Sequence, residues 1–298
     1  MLTDDELIVI NHDESREGEY IRIRVILLGE DLSDINLDVS TFHDVDILTI
    51  SELTTLDFSQ NALESATFTK RHFLRAVLNK TRLKPSLPVF TKNLLNRVTL
   101  ECFVNDADII LITVDSNINL LKDIVYFLKQ KEKLFIVITE KTLDTTILCN
   151  WLIFEKQDDT LFRSSASLPE KFTTTLHTFC NLMDNHIQTI RVHEYDFSSL
   201  VNLQHFFTTK GEVYLYPYFT QETIEAKLQT DAVFQSRLRT TAQVWVKFFY
   251  GASSELDSEK FIELIENHID EDADFFMEWE VGCEQGSKFD FAILCLKE

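Results

Sequence analysis

Two uninterrupted apolar runs, ADIILITV (107–114) and LFIVIT (134–139), limit the available folds more than any other feature of this chain. Neither alternates polar with apolar, and both are short. Such runs read as strands covered on both faces, the condition of a parallel sheet sandwiched by helices. Between them NLLKDIVYFLKQ (119–130) carries helical spacing. The pattern extends on either side. Tyr20 to Gly29 is a β-branched strand closing on glycine, VDILTI (45–50) a second, and WLIF (151–154) another. Residues 62–80 read as a helix with Leu63, Phe73, Leu74 and Val77 at helical spacing, LKPSLP (83–88) as a break, and 94–104 as a further helix. Strands alternating with helices at this interval predict an α/β fold with a parallel sheet. Residues 1–19 form an acidic leader.

The second half changes character. One long helix is predicted from Pro169 to about Ile190, with proline in its first turn and Phe172, Leu176, Phe179, Cys180, Met183 and Ile187 on one stripe. A shorter helix begins near Phe197, and another lies around 231–240. Strand VWVKFFY (244–250) and a helix from about Asp257 to Ile269 follow. FFMEWEV (275–281) and FDFAILCL (289–296) are expected to end the chain as a hairpin, with Trp279 on the core-facing side.

Composition removes whole classes of function. Of 298 residues only 6 are glycine, about 2 % against a usual ~7 %. Loops that cradle phosphate need several clustered glycines so that backbone N–H groups can approach the anion. Gly18, Gly29, Gly211, Gly251, Gly282 and Gly286 are scattered, so neither a Walker loop nor a dinucleotide fingerprint is present. The net charge of −21 argues against nucleic acid and against anionic membrane surfaces. Five widely spaced cysteines (Cys102, Cys149, Cys180, Cys283, Cys295) read as buried thiols of a reducing compartment. No signal peptide or membrane span is expected, which points to a cytoplasmic protein.

Chemistry-bearing clusters are few. Asp270, Asp272 and Asp274 have the opening spacing of a calcium loop, but Phe275 and Val281 stand where glycine and glutamate are required. His177, His186, His193 and His205 show no metal-ligand spacing, and no nucleophile elbow is present. No catalytic, cofactor or metal residue is assigned. Tyr214, Tyr216 and Tyr218 lie in an aromatic segment (214–219) read as a loop, either core or an exposed patch for a protein partner.

Three stretches, in order, resemble the tubulin/FtsZ family. VWVKFFYGASSELDSEKFIELIENHIDEDADFFMEWEVG resembles that family's strand, Gly-x-x-x-x-Leu turn, helix and following strand. IQTIRVHEYDFSSLVNLQHFFTTKGE resembles the end of its central helix, its synergy loop (Asn-x-Asp-Phe-Ala-Asp-Val) and the next helix. DADIILITV with the helix after it and KLFIVITEK resembles the strands flanking the tubulin signature loop. Together they cover nearly all of the chain beyond residue 20. The resemblance implies a parallel-sheet N-terminal domain joined by a long central helix to a smaller α/β domain.

The departures fall on the family's chemistry. Its two glycine-rich nucleotide loops become LLGEDLSDINLD, with Gly29 alone, and VDSNINL (114–120), with no glycine. Glu30, Asp31, Asp34, Asp115 and Asn117 would stand beside the phosphates. Like charges about 4 Å apart repel by roughly 4 kcal/mol at an effective dielectric near 20. Thr173, Thr174 and Thr175 replace the guanine-contacting Asp of the central helix. In Glu194-Tyr195-Asp196-Phe197-Ser198-Ser199-Leu200 the first Asp and the Phe persist, but Ser199 replaces the carboxylate that would polarise water.

The expectation is therefore a non-enzymatic FtsZ-like subunit with no cofactor. It would bind FtsZ or another division protein through Glu194, Tyr195, Asp196, Phe197 and Ser199, at a bacterial division site. The alternatives are an adaptor for another protein, through Tyr214, Tyr216 and Tyr218, or a self-associating, nucleotide-independent filament. The expected division is a leader (1–19), a degenerate nucleotide-type domain (20–168), a central helix with synergy-type loop (169–205) and a C-terminal domain (206–298).

Overall fold

A computed structural model of the chain describes residues 18–29, 35, 37–50, 97–114, 118–140, 142–143, 149–157, 166–184, 189–192, 195–207, 209–249, 258–280 and 291–297. The leader through residue 17, the helix expected at 62–80, the break at 83–88, the Gly251 turn and Gly282 lie outside these. The described elements are β1 (Ile23–Leu28), β2 (Val45–Ile50), α1 (Arg97–Val104), β3 (Ile109–Val114), α2 (Ile118–Gln130), β4 (Phe135–Thr139) and β5 (Asn150–Ile153). They continue with α3 (Leu168–Met183), β6 (Thr189–Val192), β7 (Tyr195–Ser198), α4 (Ser199–Phe206) and β8 (Glu212–Phe219). The last are α5 (Gln221–Thr230), α6 (Ala232–Arg239), β9 (Gln243–Phe249), α7 (Ser258–Glu266), β10 (Asp274–Glu280) and β11 (Phe291–Lys297).

Nine of the described strands form one sheet in the order β10-β9-β11-β8-β5-β4-β3-β1-β2. From β2 to β8 every pairing is parallel; β11 runs antiparallel to both its neighbours. The apolar runs of β3 and β4 are buried throughout, because helices cover both faces. Alternation divides the side chains between layers. Ile23, Val25 and Leu27 of β1 face one core with Phe172, Leu176 and Phe179 of α3, while Ile26 and Leu28 face α1 and α2. The α3 core continues across the whole sheet to Leu215, Trp245 and Leu294. On the opposite face the core is split in two, one part under α1 and α2 and the other under α5, α6 and α7.

Three expectations are corrected. The last two strands are not a hairpin: β11 inserts between β8 and β9, and β10 pairs with β9 in parallel. The central helix ends at Met183 rather than near Ile190. Ile190 belongs to β6, paired antiparallel with β7, so Phe197 is in a strand and α4 starts at Ser199. Thr189, Ile190 and Val192 are β-branched, which favours the extended backbone. Third, 214–219 is the strand β8, not a loop. The helix expected around 231–240 is α6; α5 before it was not expected, and its start is capped by Thr220 accepting from the Thr223 N–H.

Candidate functional site

In open α/β sheets ligands gather at the carboxyl ends of the strands. Here Leu28 and Val114 are register partners, so the loops opening at Gly29 and Asp115 leave adjacent strands at the same level. Gly29 has φ +142°, a region that side-chain-bearing residues rarely adopt, and its N–H donates to Ile50 O at 3.3 Å. Glu30, Asp31, Asp115 and Asn117 lie outside the described residues. Chain connectivity alone puts Asp115 directly after β3 and Glu30 one residue past Gly29 after β1.

The synergy-type segment is partly described. Glu194 lies outside the described residues; Tyr195, Asp196 and Phe197 are on β7, with Asp196 in register opposite Arg191, and Ser199 opens α4. Tyr214 and Tyr216 do not form a surface patch. Both are buried in the core beneath α5 and α6, where Tyr216 packs edge-on against Phe234. The side chain of Tyr218 lies outside the described residues. Burial first, and then nearby Glu212, push the Tyr214 hydroxyl up to about 12.

The structure brings together residues that the motifs did not mark. Buried Arg24 on β1 donates to Asp44 Oδ1 at 2.9 Å and Asp106 Oδ2 at 3.2 Å, with Asp46 at 3.9 Å. Burial works against its charge, but Asp106, Asp46 and Asp44 outweigh it and raise its pKa. This cluster lies at the amino end of the parallel strands, opposite the loops after Gly29 and Val114. Lys247, fully buried on β9, donates to Leu182 O at the end of α3 at 2.6 Å, opposing the negative end of that helix. Asp184, which caps α3, accepts from the His43 backbone N–H at 3.2 Å and lies 3.0 Å from its ring Nδ1; that ring stacks on Tyr20 at 3.7 Å. One helix is thus fastened to both halves of the molecule. A lysine inside an apolar run was the visible sign of the first contact; nothing local marked the second.

The β5–β8 seam joins the halves. Among the described residues, Trp151 and Glu212 alone pair as a ladder there. Two buried amides add hydrogen bonds across it. Asn150 donates to Phe207 O at 2.9 Å and accepts from Gly211 N–H at 3.0 Å. Gln157 donates to Ile153 O and Val213 O, at 3.0 and 3.2 Å, and accepts from Leu215 N–H at 2.6 Å.

Among the described residues no group of three or more His, Cys, Asp or Glu is placed to hold a metal ion. Nor is any described helix long and apolar enough to cross a membrane. Burial raises the Cys149 thiol to about 11 and the Cys295 thiol to about 12, which disfavours their thiolate forms.

No protein-family model and no curated protein sequence matches the chain. Solved structures do. A W319Y mutant of FtsZ from M. jannaschii superposes with a TM-score of 0.56 at 8% identity, covering 93% of this chain and 91% of that one. An empty FtsZ dimer from M. jannaschii gives 0.54 at 9% identity, covering 93% and 88%. GDP-bound CetZ1 from Haloferax volcanii gives 0.51 at 9% identity, covering 93% and 94%. Identity this low speaks to the backbone and to nothing finer. The chain has the FtsZ/tubulin-like fold.

Proposed function

We propose that this chain is a non-enzymatic FtsZ-fold subunit that docks on FtsZ-type polymers and modulates their assembly at the bacterial division site. The carrying observation is that Gly29 alone, and otherwise carboxylates, follow the adjacent ends of β1 and β3. A phosphate there would meet like charge rather than backbone N–H groups. The face around Tyr195 to Ser199, which keeps more of the family's residues, would make the docking contact. The four-part division of the chain belongs to this reading too. Burial of Tyr214 and Tyr216 takes two of the three tyrosines away from the adaptor reading. Self-association keeps some support, since one similar structure is a GTPγS-bound CetZ2 protofilament.

The test is GTP-driven sedimentation of the host's FtsZ with this protein added from one-hundredth to equal molarity. Altered polymer mass or co-pelleting at a fixed ratio is expected. Pelleting of the chain alone without nucleotide would favour self-assembly, and saturable GTP binding by the chain would refute the reading.

A further inference from the structure

The two halves are held together differently on the two faces of the sheet. Beneath α3 a single apolar core crosses the seam, and α3 itself is tied to β9 by Lys247 and to the N-terminal half by His43. On the other face the cores formed by the described residues are separate, so among the described residues no shared apolar layer resists opening there. What crosses the seam on that face is polar and centres on Arg237 of α6. Its guanidinium donates to Lys156 O at 2.5 Å and to the Tyr216 hydroxyl at 3.2 Å, and lies 4.4 Å over the Tyr214 ring. Lys156 also pairs with Glu212 at 3.2 Å.

We propose that Arg237 is a pin that, with Asn150 and Gln157, locks the two halves into one rigid body. Rotation about the seam, with the α3 side held by its core, must pull Arg237 from the Lys156 carbonyl. It must also strip Gly211 and Leu215 of their amide acceptors. Arg237 suits this role because a guanidinium can reach a carbonyl and a hydroxyl while stacking on an aromatic face, as an ammonium cannot. The consequence is functional: an event at the carboxyl ends of β1 and β3 is not relayed to the C-terminal half by hinge motion. Such a subunit presents its two ends at constant spacing. This holds whatever the chain docks on.

Native-state hydrogen exchange on the full chain tests the idea. In the unmodified protein the amides of Gly211 and Leu215 should exchange within tenfold of those of β3, because seam and core open together. Exchange at the seam more than tenfold faster than in β3 would overturn the lock. In Arg237→Ala, seam amides should exchange at least tenfold faster with β3 unchanged. An unchanged seam, or uniform acceleration everywhere, would overturn the role of Arg237. Arg237→Lys, which keeps the charge, provides the same comparison with milder disturbance and should accelerate the seam less than alanine does.

Discussion

Replacing Gln157 by leucine removes three hydrogen bonds at once while nearly conserving volume. The variant leaves Ile153 C=O, Val213 C=O and Leu215 N–H without their present partner, in a place where the native side chain is 6% exposed. A buried polar group left unmet costs about 1–3 kcal/mol. The carbonyls keep a second lone pair and leucine adds some apolar burial, so the low end applies and the total is about 3 kcal/mol. Unfolding entropy of about 2.1 cal/mol/K per residue then lowers the melting temperature of a 298-residue chain by about 5 °C. Urea denaturation and calorimetry read both quantities. Gln229→Leu, at an exposed position on α5, is the control and should stay within about 0.5 kcal/mol. A loss below about 1 kcal/mol in Gln157→Leu would refute the argument, because strand pairing would then hold the seam without the amide.

Arg24→Gln strands Asp44, Asp46 and Asp106 around a missing cation and should lose about 3–5 kcal/mol at pH 7. Urea denaturation at pH 7 reads that loss. Lys247→Ala leaves a cavity and an unmet Leu182 carbonyl and should lose roughly 3 kcal/mol, whereas Lys247→Met refills the space and should lose about half as much in urea titrations. Tyr214, Cys149 and Cys295 have folded-state pKa values raised to about 12, 11 and 12, so the fold favours their neutral forms. That stability is present in full below about pH 9 and is lost as pH rises toward 12. Urea midpoints at pH 8, 10 and 11.5 should fall progressively, and Cys149→Ala should flatten the decline between pH 9 and 11.

The sequence by itself determined the apolar strands of the N-terminal half, their parallel pairing, the helix after β3 and the absence of clustered glycines. These are local properties: burial on both faces writes a continuous apolar run, and phosphate loops require glycine wherever they occur. Only the tertiary structure decided which strand lies beside which. FFMEWEV and FDFAILCL look like neighbours along the chain, yet β11 pairs with β8 and β9 because strand partners are chosen across distance. Likewise, 189–198 adjoins a helical stripe but pairs as β6 and β7, tertiary pairing overriding local continuation. Tyr214 and Tyr216 were readable as core or as surface, and only the two helices that cover them decide it. Asn150, Gln157 and Lys247 showed only that polar groups inside apolar strands must find partners. Which carbonyls and N–H groups those would be followed from the meeting of segments up to 65 residues apart.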